Sequence, residues 1–184
     1  MKFNLKLDKN AWWQGAIVVG GLVAGAKLKL EAGFIPFTLQ TFALCLGALF
    51  FSRQAALLGT LIYMVLGLYF PVFSDDVFGK EFYQGYNTGY VFGFPLAAIL
   101  ITSTKVKYKD WFTIFSWLLM AHALILICGV AWGAFYKDLE LFKTIDKGFY
   151  ALLPGAILKS FMAATLYYII KKYMLDKPEE DVTE

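Results

Sequence analysis

Residues 33–41 read GFIPFTLQT, a proline at the start of an apolar run followed by a threonine, a glutamine and a second threonine. Polar groups buried in a bilayer are costly unless they have hydrogen-bonding partners, so they face protein or a cavity. The stretch therefore predicts the rim of a binding cavity, formed by Thr38, Gln40 and Thr41. The alternative is that both threonines bond to their own helix and that the glutamine bonds to a neighbouring helix.

The composition around this stretch is that of a polytopic membrane protein. Of the 184 residues, 59% are hydrophobic, and the charged residues fall in short clusters between long apolar runs. A membrane span needs about 20 mainly apolar residues. Six segments approach that length, at about 11–26, 36–51, 54–73, 88–103, 111–136 and 149–170. The sequence therefore predicts an all-α integral membrane protein with a single bundle of six transmembrane helices.

The distribution of lysine and arginine predicts the orientation of this bundle. Ten of these residues lie on the side of the two termini and six on the opposite side, and cytoplasmic loops carry the excess. Both termini are therefore expected in the cytoplasm. The chain then divides into a cytoplasmic N-terminal segment (1–10), a transmembrane substrate-binding domain (11–172) and a charged cytoplasmic tail (173–184).

Motifs for catalysis, metal binding and nucleotide binding are missing from the sequence. There is no G-x-x-x-x-G-K-[ST] loop and no H-E-x-x-H pair, and Cys45 and Cys128 form no cluster with histidine. The one histidine, His122, has no acidic residue in its own span, so we expect a neutral imidazole bonded to a neighbouring helix. No basic stripe with interleaved aromatic residues points to nucleic acid. We predict no enzymatic activity, no metal, no cofactor and no nucleic-acid partner.

The last apolar segment carries the one formal charge that lies inside a predicted span, Lys159. A lysine near a helix end can extend its ammonium group to the membrane surface. It can also pair with an anionic ligand, and the helix start at Pro154 adds partial positive charge that favours an anion. We favour the ligand, because the other polar groups of the spans lie on the same external side.

Residues 85–95 read GYNTGYVFGFP and open the fourth predicted span. Glycine recurs every four residues, which lets a ligand or a second backbone approach closely. Asn87, Thr88 and Tyr90 supply hydrogen-bonding groups at the same end, although such groups are also common as helix caps. We favour a ligand site here, next to the acidic loop that contains Asp75.

The first predicted span carries Ala16, Gly20 and Ala24 at spacings of four residues. Small residues in this pattern make a flat helix face on which another backbone can pack. Ordinary packing inside the same chain is one interpretation, and docking of a partner is the other.

Taken in order, these segments resemble the BioY family, the biotin-binding S component of energy-coupling factor (ECF) vitamin transporters. The most specific motif is PFTLQT at 36–41, followed by LGLYFPVF at 66–73 and GYVFGF at 89–94. The motif LPG at 153–155, together with Lys159, completes the resemblance. It covers about residues 11–172.

This resemblance implies a six-helix subunit in the plasma membrane of a bacterium. Such a subunit captures biotin from the outside and delivers it with a transmembrane coupling protein and two ATPase subunits. It also implies that Lys159 binds the biotin carboxylate and that polar groups before the fourth and at the start of the sixth span hold the ureido ring. The candidate ligand-binding residues are Thr38, Gln40, Asp75, Asn87, Thr88, Tyr90 and Lys159. The implied docking face for the coupling protein is Ala16, Gly20 and Ala24.

The chain departs from the family pattern in two places. Ala156 stands where the family has an aspartate, and the loop over 74–86 lacks the usual glycine-rich sequence. Asp75 or Asp76 is a candidate replacement for the lost carboxylate. The alternatives to a biotin importer subunit are an S component for another small anionic vitamin or biotin-like ligand, a solitary biotin transporter, and a membrane assembly protein without transport activity.

Overall fold

The computed structural model describes residues 9–32, 35–74, 76–104 and 110–175, and these ranges form a helical bundle. In chain order the helices are α1 (Ala11–Lys27), α2 (Gln40–Phe50), α3 (Arg53–Leu66), α4 (Gly79–Tyr83), α5 (Thr88–Thr104), α6 (Trp111–Ala131), α7 (Leu141–Ile145) and α8 (Leu153–Ile170). All except α4 and α7 have eleven or more residues, so six long helices lie within the described ranges. Wider π-helical turns follow α6, α7 and α8, over Trp132–Tyr136, Asp146–Tyr150 and Lys171–Leu175.

The connection between α1 and α2 is an antiparallel β-hairpin of strands β1 (Lys29–Ala32) and β2 (Ile35–Thr38). The predicted all-α class holds for the protein as a whole, and this hairpin is the exception within the described residues. Pro36 accounts for the strand, because proline biases the residue before it toward extended conformation and is tolerated in edge strands. Helix α2 accordingly begins at Gln40 and not at residue 36.

The other predicted spans agree with the helices except at two ends. The third span was predicted to continue to residue 73, but α3 ends at Leu66 and is followed by turns around Gly67. The sixth was predicted to begin at residue 149, but α8 begins at Leu153, with Pro154 in its first turn. Proline suits that position because its missing N–H has no helical partner there.

Two helical stretches in the described ranges are long and apolar enough to cross a membrane, Trp111–Tyr136 and Leu141–Tyr173. Three shorter apolar helices have 10–17 residues, at Gln40–Phe50, Arg53–Leu66 and Thr88–Ser103. The count of six transmembrane helices and the cytoplasmic location of both termini stay predictions. Residues 1–8 and 176–184, which make up most of the two predicted end segments, lie outside the described residues.

Glycines allow neighbouring helices of the bundle to pack closely. A Cβ atom added to Gly89 on α5 would lie 2.7 Å from the carbonyl oxygen of Cys128, and one added to Gly93 would lie 2.9 Å from Cα of Ile125. Both contacts are with α6. Gly59 allows the same close packing between α3 and α1. The four-residue glycine spacing at the start of α5 therefore serves a neighbouring backbone and not a ligand.

Candidate functional site

A cavity of about 500 Å³ lies at the end of the bundle where α2, α5 and α8 begin. We call it the central cavity. Its volume is within the range of small-molecule sites, which are about 300–1,000 Å³. Its walls come from the β-hairpin, the segment after α3, helices α4 and α6, and the first two turns of α2, α5 and α8. The lining residues are Lys29, Thr38, Gln40, Thr41, Phe73, Ser74, Phe82, Asn87, Tyr90, Val91, Phe94, Ile125, Ala151, Leu152, Pro154, Gly155, Leu158 and Lys159.

Five of the seven predicted ligand-binding residues line this one cavity: Thr38, Gln40, Asn87, Tyr90 and Lys159. They come from β2, α2, the turn before α5, α5 itself and α8. Their assembly in one place follows from the alternating direction of the long helices, which brings the starts of α2, α5 and α8 to the same end of the bundle.

The other two predicted residues do not extend this set. Thr88 is fully buried, and its hydroxyl donates a hydrogen bond of 2.6 Å to the carbonyl oxygen of Phe82. It therefore holds the loop before α5 and does not line the central cavity. Asp75 lies outside the described residues.

Two lysines give the central cavity a positive character. The Nζ atom of Lys159 lies 3.5 Å from the carbonyl oxygen of Thr38, so its side chain crosses from α8 to the hairpin along the cavity wall. Lys29 on β1 also lines the cavity, although no sequence pattern pointed to this residue. No aspartate or glutamate is among the described lining residues, so the cavity suits an anion better than a cation.

Gln40 both lines the cavity and bonds to a neighbouring helix. Its Nε2 atom donates a hydrogen bond of 2.6 Å to the hydroxyl of Tyr63 on α3, and that hydroxyl donates to the carbonyl oxygen of Val72 at 3.1 Å. The side chain is only 8% exposed. The two interpretations of Gln40 from the sequence, cavity rim and helix bridge, therefore apply together, and the bridge fixes the orientation of the amide.

Tyr90 lines the cavity, and its hydroxyl is already bonded to another part of the bundle. That hydroxyl donates to the carbonyl oxygen of Gly148 at 3.0 Å and lies 3.2 Å from the hydroxyl of Tyr86. The contact connects α5 to the π-helical turn after α7. Tyr90 is therefore part of the site as an aromatic surface.

A buried hydrogen-bond network continues from the cavity into the bundle. Thr41 lines the cavity, and its Oγ1 atom lies 3.0 Å from Nε2 of His122 on α6. Nδ1 of His122 lies 2.9 Å from Oγ of Ser160 on α8 and 3.1 Å from the carbonyl oxygen of Leu118. The expectation that His122 bonds to a neighbouring helix is confirmed, and it does so for two helices. The alternative that Thr41 bonds to its own helix is wrong.

An aromatic cluster forms one wall of the cavity. The rings of Phe73 and Phe82 are stacked with centroids 3.6 Å apart, and the ring of Tyr63 meets Phe73 edge-on at 5.2 Å. Phe94 stacks beside Tyr63 at 6.5 Å and lines the cavity as well. This wall offers an apolar surface to the carbon skeleton of a ligand.

The segment after α3 is held in place by Lys27, the last residue of α1. Its Nζ atom donates to the carbonyl oxygens of Pro71 at 2.6 Å and Phe73 at 2.8 Å, and it forms an ion pair with Asp76. The hydrogen bond from Lys27 holds the pKa of Asp76 below its ordinary value. Asp76 is exposed and does not line the cavity, so its candidacy as a replacement ligand-binding carboxylate is wrong.

Comparison with known proteins places the chain in a family. Residues 4–176 match the BioY family model. The chain belongs to the BioY family. The biotin transporter BioY of Thermotoga maritima is 29% identical over 160 residues, which cover 85% of this chain and 92% of that protein. The probable biotin transporter BioY of Pyrococcus horikoshii is 29% identical over 161 residues, 85% of this chain and 91% of that protein.

A solved structure has the same fold as this BioY family member. It is the S component for biotin from an ECF-type ABC transporter, and the alignment covers 94% of this chain and 95% of that one. The TM-score is 0.75 and the sequence identity 18%. The resemblance suggested by the motifs is thus confirmed at the level of family and fold.

Two departures noted in the sequence have clear positions in this BioY family member. Ala156, which the resemblance set in place of an aspartate, is buried in α8 and does not line the central cavity. Its methyl group offers no hydrogen bond there. The altered loop contains Asp76, which pairs with Lys27, and the short helix α4. Two of its residues, Ser74 and Phe82, line the central cavity.

The small-residue face of α1 lies on the outside of the bundle. Ala16, Gly20 and Ala24 are all exposed, and a Cβ atom added to Gly20 would have no neighbouring atom within 4 Å. Packing inside the chain is carried out by the opposite side of the helix, where Gly15 and Gly25 are buried. The docking of a partner on the exposed face stays a prediction.

Proposed function

We propose that this chain is the substrate-capture subunit of an ECF-type vitamin importer and that its central cavity binds biotin. The observation that carries the proposal is the meeting of Thr38, Gln40, Asn87 and Lys159 around one cavity of ligand size. The names of the relatives support biotin as the ligand, and the two lysines support a ligand with a carboxylate.

In this proposal the parts of biotin bind to different walls of the central cavity. The valerate carboxylate pairs with Lys159, whose ammonium group is placed at the cavity wall by its contact with Thr38. The apolar ring carbons and the thioether lie against the Phe73 and Phe82 rings. The ureido group bonds to the amides of Gln40 and Asn87.

Two segments enclose the ligand in this proposal. The hairpin β1–β2 carries Lys29 and Thr38, and the segment after α3 carries Phe73 and Ser74. Both segments connect long helices and lie at the same end of the bundle. Biotin enters from that end, which faces the outside of the cell, and both termini lie on the cytoplasmic side of a six-span bundle in the bacterial plasma membrane.

The energy for transport comes from partner proteins. The sequence has no nucleotide-binding loop, so this subunit is not an enzyme and two ATPase subunits hydrolyse ATP. The exposed face of Ala16, Gly20 and Ala24 docks on the transmembrane coupling protein, because small residues let a second helix approach closely.

Equilibrium binding to the purified protein in detergent tests the proposal. Wild type is expected to bind biotin tightly and biotin methyl ester weakly, since the ester lacks the charge. Lys159→Met should weaken biotin binding by about thirtyfold or more, because truncating one member of a buried charge pair costs about 2–5 kcal/mol. The same variant should not change binding of the methyl ester.

Lys143→Met is the matched control. Lys143 pairs with Glu140 at 2.6 Å on an exposed surface, with its own side chain 75% exposed, and does not line the cavity. Its replacement should leave biotin affinity unchanged. Folded wild type that does not bind biotin would contradict the proposal, and so would full affinity in Lys159→Met.

A further inference from the structure

We infer that Thr41 recognises an N–H group of the ligand ring, and that His122 is the positioning residue that turns the Thr41 hydroxyl for this task. The inference rests on the proposed function, because it assigns a partner for one ring nitrogen of biotin. Thr41 lines the central cavity, whereas His122 lies behind it and is only 2% exposed.

The carbonyl oxygen of Leu118 determines where the hydrogen of the imidazole lies. It is 3.1 Å from Nδ1 of His122, and a carbonyl oxygen can only accept a hydrogen bond. We therefore assign the hydrogen of the neutral ring to Nδ1. Oγ of Ser160, 2.9 Å from the same nitrogen, accepts from it as well.

The direction of the Thr41 hydroxyl follows from this tautomer. With its hydrogen on Nδ1, the neutral imidazole has only a lone pair at Nε2. Nε2 lies 3.0 Å from Oγ1 of Thr41, so the hydroxyl donates its single hydrogen to His122. The Thr41 hydroxyl then keeps two acceptor sites and has no hydrogen to donate to a ligand.

An acceptor at this place selects one part of the ligand over another. The ureido ring of biotin is a cyclic urea with two N–H donors, and either can bond to Oγ1 of Thr41. A carboxylate has acceptors only, so it would face an unfavourable contact at Thr41. The carboxylate is therefore directed to a lysine and not to the Thr41 hydroxyl, and Thr41 helps to set the orientation of the ligand.

The test compares biotin with two analogues that carry a methyl group on one or the other ring nitrogen. We would measure the affinities of wild type, Thr41→Val and Thr41→Ser for all three. Thr41→Val should lose about tenfold for biotin, the size of one good hydrogen bond. It should lose nothing for the analogue whose methyl group replaces the N–H that bonds to Thr41. Thr41→Ser keeps the hydroxyl and should stay within about twofold of wild type.

Thr60→Val is the matched control. Thr60 is fully buried, and its hydroxyl donates to the carbonyl oxygen of Leu57 in its own helix at 2.8 Å, away from the cavity. Biotin affinity should be unchanged in this variant. Thermal unfolding of each variant shows that loss of the threonine has not simply unfolded the protein.

The role of His122 is measured separately, by the ratio of two affinities. One is the affinity for biotin, and the other is the affinity for the analogue whose methyl group replaces the N–H that bonds to Thr41. His122→Leu removes Nε2, so the Thr41 hydroxyl can turn its hydrogen toward the cavity and the ratio should fall by about threefold or more. An unchanged ratio would overturn the positioning role, even if both affinities dropped together.

Three results would overturn the assignment of Thr41. One is unchanged biotin affinity in Thr41→Val, and another is an equal loss for biotin and both analogues, which a merely structural role would give. Both leave the proposed function standing. The third is failure of folded wild type to bind biotin, which would remove the proposed function and this inference with it.

Discussion

The ammonium group of Lys27 lies 2.8 Å from the carbonyl oxygen of Phe73 and joins the end of α1 to the aromatic wall of the central cavity. The same group bonds to the carbonyl oxygen of Pro71 at 2.6 Å and to the carboxylate of Asp76. Three acceptors from one segment thus share one cation. Because hydrogen bonds to charged groups are stronger than neutral ones, this contact holds Phe73 against the cavity.

Replacing Lys27 should speed the release of biotin. Lys27→Met removes all three hydrogen bonds, so the segment that carries Phe73 opens more readily. We expect the dissociation rate constant to rise by about three- to tenfold, a modest factor because the lysine is partly exposed and solvent competes for these bonds. A chase experiment with labelled biotin measures the rate. Lys143→Met, with its exposed partner Glu140, is the control, and an unchanged rate in Lys27→Met would contradict the role of the contact.

The contribution of Asp76 to this contact should persist through mildly acidic pH. Its pKa is below the ordinary value of 3.8 in the folded protein, chiefly because of the hydrogen bond from Lys27. A carboxyl group with a lowered pKa stabilises the folded arrangement above its unfolded pKa and loses that effect as pH falls through the folded pKa. The Asp76 contribution is therefore present down to about pH 4 and disappears only below that.

The measurement is the ratio of biotin release rates of Asp76→Asn and wild type at each pH. Biotin titrates equally in both proteins, so the ratio isolates Asp76. It should be constant from pH 8 to pH 5 and approach one only below about pH 4. A ratio that changes between pH 7 and pH 5 would show that another titrating group controls the segment.

The sequence predicted the long helices and most of the polar cavity residues. Apolar runs of membrane length can be recognised in the sequence however the helices pack. Polar residues inside such runs, such as Gln40 and Lys159, are costly enough to need a partner. Their convergence follows from the alternation of helix direction alone. These features depend on local composition and chain order, which is why they could be predicted.

The residues that were missed depend on how loops fold back. Lys29 lies on the hairpin and Phe73 on the segment after α3, and both line the cavity. The hydrophobic pattern of the sequence does not predict the course of these two connections. Thr88 was assigned to the ligand because it is polar and near Tyr90, but its hydroxyl bonds to the carbonyl oxygen of Phe82. A polar residue at the start of a helix can bond to the backbone there or bind a ligand. The sequence is the same in both cases, and only the tertiary structure distinguishes them.

Two glycine-to-alanine substitutions should have opposite outcomes for stability. A Cβ atom at Gly89 would lie 2.7 Å from the carbonyl oxygen of Cys128, so Gly89→Ala forces α5 and α6 apart. We expect it to destabilise the protein by about 1–3 kcal/mol, the usual cost of overpacking. Gly20→Ala meets no atom within 4 Å and should be neutral or slightly stabilising, since alanine favours the helix. Thermal unfolding in detergent measures both, and equal unfolding midpoints would contradict the close α5–α6 packing.

The exposed small-residue face of α1 should matter for transport and not for binding. Gly20→Trp places a large ring on a surface where a Cβ atom has no neighbours, so the subunit itself should fold and bind biotin as wild type does. Docking of a partner helix needs small residues along this face, so biotin uptake by biotin-requiring cells that also express the coupling protein and both ATPases should fall at least tenfold.

Met120→Trp is the matched control for that substitution. Met120 is 52% exposed on α6 and outside the α1 face, so the same ring there should leave uptake unchanged. Normal uptake in Gly20→Trp would exclude this face as the docking surface. Loss of biotin binding in Gly20→Trp would instead show that α1 acts through the cavity, by way of Lys27 at its end.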